Sequence, residues 1–339
     1  MLELKPGTQL ADRYTLGRRL GGDRKTQTWL AKDRLTKASV VLKIAPGDAD
    51  STATLRAEWQ ASIRLMHAHI VRVFEFHAEE EEVAFFSQQF IDGPTLGALT
   101  GLDAAEILGP VGLLVDALGY IHDKGLVHRD LKASNVLIDA NGAPYLADFG
   151  VSCPIGQTRS GGSLVAQSPQ SLRGEPASPA DDIFALGSLI FELLSGRPPW
   201  SGDNMADDIA SLRLATLSAA NGKPLPDAVV DLVMQMLDQD PGKRPGARDI
   251  AKSLRAAGYA PALASVRGAA ASLPDEAIQS VRSIHPQARP QFDSLRDVPT
   301  ATKGLQPKTV GIALGLLVIL LIGVVFVLPE NISRTPAPR

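Results

Sequence analysis

Ten residues constrain this chain more than any others: His128-Arg129-Asp130-Leu131-Lys132-Ala133-Ser134-Asn135-Val136-Leu137, with Asp148-Phe149-Gly150 shortly after. Either piece alone would carry little. Together, in this order, after a helical stretch and before Asp182-Ile183-Phe184-Ala185-Leu186-Gly187, they are not a chance pairing. The rest of the chain bounds what can surround them. Among 339 residues there are 34 Lys plus Arg and 37 Asp plus Glu, a net charge of −3 that leaves no basic stripe for wrapping nucleic acid. With 45% hydrophobic and 21% charged residues the chain can bury a core. One cysteine excludes a disulfide framework and a cysteine-based zinc site.

The chain divides by pattern. Residues 12–258 form the head. Its first hundred residues read as β-rich, with extended runs at 14–20, 26–32 and 40–44. A helix around 55–66 follows, then runs at 70–77 and 83–90 on either side of an acidic turn at 79–82. Beyond Asp103 the period becomes helical, at 104–124, 182–195, 227–238 and 247–256. A small β-rich lobe followed by a larger helical lobe is an α+β arrangement with a cleft between its parts. Residues 259–309 carry six prolines and scattered charges of both signs, and read as a linker. From Val310 to Leu328 no residue is charged. At about 1.5 Å per residue this run spans roughly 28 Å, which predicts a transmembrane helix, leaving 329–339 as a short tail. The amino terminus has no apolar run of the signal-peptide kind, so insertion is expected tail first, with the head on the side of synthesis.

The two motifs are the HRDxKxxN loop and the DFG turn, and here residues 12–258 resemble the bacterial eukaryotic-like (Hanks-type) Ser/Thr protein kinases. The resemblance implies the two-lobed protein kinase fold, ATP as phosphoryl donor, Mg²⁺ (or Mn²⁺) as the metal, and cytoplasmic protein substrates. It implies roles residue by residue. Asp130 orients the substrate hydroxyl and takes its proton; Lys132 places a cation on the transferring phosphate; Asn135 and Asp148 offer the oxygen ligands Mg²⁺ prefers. Upstream, Val40-Val41-Leu42-Lys43 matches the strand with the phosphate-binding lysine, and Glu58 its pairing glutamate. Leu20 and Val41 from above and Leu137 from below are placed to sandwich an adenine ring, and Gly21, also cofactor-binding by the resemblance, opens the phosphate-covering loop. Residues 87–91 would form the hinge, with Gln88 at the gatekeeper position.

Departures accompany the matches. Where the phosphate-covering loop is usually G-x-G-x-x-G, this chain has Gly21-Gly22-Asp23-Arg24-Lys25-Thr26. Glycine lets backbone approach phosphate closely, and Asp23 brings an anion toward an anionic ligand that Arg24 and Lys25 can offset, which predicts weakened nucleotide affinity or altered loop geometry rather than loss of binding. Ser168-Pro169-Gln170 stands where the family has APE, so an amide replaces the glutamate expected to pair with Arg244. Asp182 matches the aspartate that anchors the catalytic-loop backbone, and Ser163 the hydroxyl that contacts the catalytic Asp and Lys. Arg129 is of the type whose activation segment is ordered by a phosphate, and within 151–167 Thr158, Ser160 and Ser163 are candidate regulatory sites. A segment ordered by packing alone is the alternative. The whole reads as a single-pass inner-membrane Ser/Thr kinase with a cytoplasmic, autophosphorylating head, its helix an anchor or a homodimerisation element. The rival reading is a pseudokinase acting as a membrane-tethered scaffold.

Overall fold

Lys43 lies on a strand whose alternation decides where it points. Along β4 (Ser39–Pro46), Val40, Leu42 and Ile44 belong to one apolar cluster, with Tyr14, Leu16, Trp29 and Phe85. The opposite face carries Ala45, which packs with Ala84, Phe86, Val73 and Leu55 of the first helix. Side chains alternate with a period of two, so Lys43 shares the Ala45 face and is directed toward that helix. Fully burying side chains such as Leu42, Ile44 and Phe85 contributes roughly 1.5–3 kcal/mol each. The strand therefore cannot slip by one residue without exposing them.

The computed structural model describes residues 4–264 except 23–24, 79–81, 160 and 201–203. Six strands form one antiparallel sheet in the order β1-β2-β3-β4-β6-β5: β1 (Gln9–Leu10), β2 (Tyr14–Gly22), β3 (Gln27–Asp33), β4, β5 (Val73–His77) and β6 (Val83–Gln89). The helix α1 (Ala49–Ser62) joins β4 to β5. It begins earlier than its apolar residues predict, because the Asp48 side chain accepts from the Ser51 N–H and caps it. The expected strand at 70–77 is regular only from Val73, since Ile70 and Val71 turn away to bridge Leu146.

The larger lobe is built on α2 (Ala104–Asp123), where Ile107, Leu108, Val111, Leu114, Val115, Leu118 and Ile121 recur at helical spacing and are all buried. This helix is long and apolar enough to cross a membrane, but 61% of its apolar window is buried inside the lobe, as befits a core helix. Two short strand pairs follow: β7 (Leu126–Val127), β8 (Val136–Ile138), β9 (Pro144–Leu146) and β10 (Cys153–Pro154), paired β7 with β10 and β8 with β9. Then come α3 (Pro169–Leu172), α4 (Pro179–Ser195), α5 (Met205–Ser211), α6 (Asp227–Met236) and α7 (Ala247–Ala256). Ser178 and Asp181 form a capping box that starts α4 ahead of Asp182, and Gly196 ends it in the left-handed conformation at φ 73°.

Residues 259–264, at the start of the expected linker, lie packed on the domain. Ala262 N–H donates to the Gly109 carbonyl at 3.1 Å and Ala264 N–H to the Gly142 carbonyl at 2.7 Å. Glycine is required at Gly142, and a side chain at Gly109 would make Ala262 shift. A Cβ on Gly109 would stand 3.0 Å from that of Ala262, and one on Gly142 only 2.0 Å from the Ala264 oxygen. The remainder of the linker, the apolar run 310–328 and the tail lie outside the described residues.

Candidate active site

Two charged groups of the site come from the small lobe. Lys43 Nζ sits 2.5 Å from Glu58 Oε1 and 2.8 Å from Asp148 Oδ1. Burial pulls the ammonium toward neutrality, but the two carboxylates outweigh it and hold its pKa above the usual lysine value. Asp148 lies below the ordinary carboxylate range: burial opposes ionisation, and the Lys43 charge overcomes it. Glu58 is shifted the other way, upward, because burial outweighs the pull of Lys43.

The large lobe contributes the rest through a loop anchored on one carboxylate. Asp182, fully buried, accepts from the His128 N–H and the Arg129 N–H, each at 2.8 Å, and contacts His122 Nε2 at 2.9 Å. That anchor holds Arg129 at φ +67°, a left-handed conformation that costs a non-glycine residue about 1–3 kcal/mol. Asp148 occupies a similar backbone state, φ +66°. His128 packs edge-on against Phe149 and meets the Ala147 carbonyl at 3.1 Å, tying the loop to the Asp148 turn.

From this frame Asp130 projects into a dense network. Its Oδ2 receives Lys132 Nζ at 2.8 Å and Asn135 Nδ2 at 2.9 Å, and its Oδ1 receives the Ser163 N–H at 2.7 Å. Lys132 Nζ also donates to the Ser163 hydroxyl. Burial disfavours the Asp130 anion, but the Lys132 and Ser163 hydrogen bonds prevail and keep its carboxyl below the usual range. At neutral pH the site thus presents an ionised, oriented carboxylate beside a cation.

The structure therefore brings Lys43, Glu58, Asp130, Lys132, Asn135, Asp148 and Ser163 together, as two hydrogen-bonded groups joined through the Asp148 turn. Leu20 and Gly21 sit at the far end of β2, Val41 is buried in β4, and Leu137 lies in β8 opposite Tyr145. None of these four enters the charged network among the described residues. Arg129 holds the Arg159 carbonyl and reaches the Ser171 hydroxyl at 3.4 Å, while Thr158 is exposed. Ser160 lies outside the described residues, as does Asp23. Arg244 donates to Gln170 Oε1 at 3.0 Å, so the amide keeps one bond where a carboxylate would offer two acceptor oxygens. The Gln170 Nε2 has no hydrogen-bond partner among the described residues. Sequence reasoning missed His122 and the side-chain bonds of Arg159. His122 carries no motif, and Arg159 uses main-chain carbonyls, which any residue supplies.

The donor set suits a hard divalent cation. Asn135 spends its amide nitrogen on Asp130, and Asp148 spends Oδ1 on Lys43 and the Gly150 N–H. That leaves an amide oxygen and a carboxylate oxygen, the one or two protein ligands Mg²⁺ takes when phosphates supply the others.

A model of the protein kinase domain matches residues 14–254. The chain is 30% identical over 254 residues to the serine/threonine-protein kinase PrkC of Bacillus subtilis, covering 70% of this chain and 39% of that protein. It is 31% identical over 280 residues to the serine/threonine-protein kinase PkaA of Streptomyces coelicolor, covering 73% and 50%. To the serine/threonine-protein kinase PknB of Mycobacterium tuberculosis it is 29% identical over 222 residues, covering 58% and 34%. The chain thus spans half or less of the length of each of these relatives. With the family model covering well over half of the sequence, and the geometry of its polar residues in place, the chain belongs to the protein kinase domain family.

Proposed function

We propose that this chain is an ATP-dependent serine/threonine protein kinase. It moves the γ-phosphoryl group of ATP to a protein hydroxyl, and it phosphorylates itself. The observation that carries this reading is the completeness of the Asp130–Lys132–Asn135–Ser163 network beside the Lys43–Glu58–Asp148 ion pairs. Phosphoryl transfer needs little covalent help from a protein; it needs positioning and charge neutralisation, and these residues supply both. Asp130 accepts the hydrogen bond of the incoming hydroxyl and takes its proton as the new O–P bond forms and the bond to the ADP oxygen breaks. Its low basicity makes orientation the larger part of its contribution. Lys132 faces the transferring group and Lys43 the α- and β-phosphates. Asn135 and Asp148 would hold Mg²⁺, which when bound neutralises charge on the phosphate oxygens.

The apolar run 310–328 supports a membrane-anchored protein: one pass through the inner membrane, residues 12–258 in the cytoplasm, and cytoplasmic proteins as substrates. Lateral pairing of two such chains would favour phosphorylation in trans.

The test is the full-length chain in detergent with Mg²⁺ and γ-labelled ATP, beside Asp148→Ala and Lys43→Met. Label on serine or threonine in the wild type alone supports the kinase. An ATP-induced melting shift without label in any version supports the scaffold reading instead. Membrane fractionation with and without residues 310–328 tests the anchor.

A further inference from the structure

The segment after the Asp148 turn is held by an arginine of its own. Arg159 Nη1 donates to the Ser152 carbonyl and Nη2 to the Gly150 carbonyl, both at 2.7 Å. Two charged N–H bonds from one planar group fix both distance and orientation. Gly150 lies directly against the charged cluster: a Cβ there would stand 3.2 Å from Asp148 Oδ1 and 3.3 Å from Glu58 Oε2. The positive charge of Arg159 also acts on Glu58 in the direction that keeps it ionised.

The main chain of Arg159 closes the arrangement from the other side. Its carbonyl accepts from Arg129, the residue before Asp130, while the Ser152 hydroxyl donates to the His128 carbonyl at 3.1 Å. Beyond Arg159 the chain passes Gly161 and Gly162, at φ +118° and +91°. A Cβ on Gly162 would meet the Arg129 carbonyl at 2.8 Å, so only glycine lets the segment pass close enough to deliver Ser163 to Asp130. The ties that dock the segment run from Arg159 to Gly150 and Ser152, from Arg129 to the Arg159 carbonyl, and from the Ser163 N–H to Asp130. None of them uses Thr158, which is exposed and lines a cavity of about 610 Å³ with Arg129, Arg159 and Glu175.

We infer that Arg159 is a positioning residue that docks the segment onto Gly150 and Ser152, so that the phosphoryl-transfer arrangement forms without phosphorylation of the segment. A phosphate on Thr158 adjusts this arrangement and is not its precondition. The inference rests on the kinase reading above.

The experiment uses the full-length, phosphatase-treated chain in detergent, with Arg159→Ala, Arg159→Lys and the double variant Thr158→Ala/Ser160→Ala. Initial phosphoryl-transfer rates and amide hydrogen exchange are both measured. The double variant should keep kcat within about twofold of wild type. Arg159→Ala should lose kcat by roughly ten- to a hundredfold with a smaller change in the KM for ATP, as expected when reacting groups are misplaced rather than removed. Arg159→Lys should recover part of that loss, because an ammonium keeps the charge without the fork. Exchange at the Ser152 and Ser163 amides should accelerate in Arg159→Ala and not in the double variant. Activity retained by Arg159→Ala, or lost equally in the double variant, overturns the inference. If no version, wild type included, transfers phosphate, the kinase reading fails, and the exchange data alone then decide the role of Arg159.

Discussion

The two walls of the site are held in different ways. On the large-lobe side, these charged groups are each held by hydrogen bonds: Asp182 holds the loop backbone, Asp130 is gripped by Lys132, Asn135 and Ser163, and Arg159 pins Gly150. On the small-lobe side, Lys43 is equally fixed, but the β2–β3 end above it is not. There β2 pairs with β3 irregularly past Leu16, and Gly21 and Gly22 are exposed. The loop carbonyls are met by Arg19, whose guanidinium donates to Gly21 and Gly22 at 3.2 and 2.9 Å. One wall is thus preorganised for charge, and the other is a surface hairpin with polar residues where close approach to phosphate favours glycine. On the proposed kinase reading, the difference would place catalytic power below and leave nucleotide affinity to the wall above.

The comparison breaks most visibly at its strongest point. Asp130→Ala should reduce phosphoryl transfer by about a thousandfold while circular dichroism and melting stay near wild type. If the loss were tenfold or less, the preorganised wall would not be the seat of catalysis. Asp182→Ala removes the acceptor of two buried backbone N–H groups and should cost roughly 3 kcal/mol in urea unfolding, with activity lost alongside.

A smaller effect is expected in the upper sheet. Arg13 clamps the buried Asp33 through two bonds, 2.9 and 3.0 Å, and with the Leu35 N–H and Thr36 hydroxyl holds its carboxyl well below the usual range. A depressed carboxyl stabilises the fold fully above the unfolded value of about 4, and that contribution is lost as pH falls toward the folded value. Arg13→Ala should therefore cost about 2 kcal/mol at pH 7 and flatten the acid side of the stability profile. Chain truncation after Gly258, which deletes the 259–264 strap, should lower Tm by roughly 2–4 °C. Smallest is Asp23→Gly: it should lower the KM for ATP by about two- to threefold with kcat nearly constant, sharpening the contrast between the walls.

Much of the site was legible in the chain. The spacing of Asp130, Lys132 and Asn135 places three chemically matched groups on one short loop, and the alternation of β4 directs Lys43 away from Leu42 and Ile44. The helix at α1 was legible in type but not in extent, since its start depends on the cap supplied by Asp48 rather than on apolar spacing. The strap at 259–264 was invisible because its signal is glycine at Gly109 and Gly142, residues more than a hundred positions upstream that matter only as absent side chains. Gln170 could be recognised as a departure, but not that its amide would keep Arg244 at 3.0 Å.

By itself the sequence determined which groups are available and which face of a strand or loop each occupies, because these depend on residue type and local period. Only the tertiary structure decided their partners. Lys43 meets Asp148 across 105 residues, and Arg159 chooses two carbonyls among many equivalent ones. Such pairings follow from how the lobes pack and which backbone acceptors are left unpaired, and no local pattern records them.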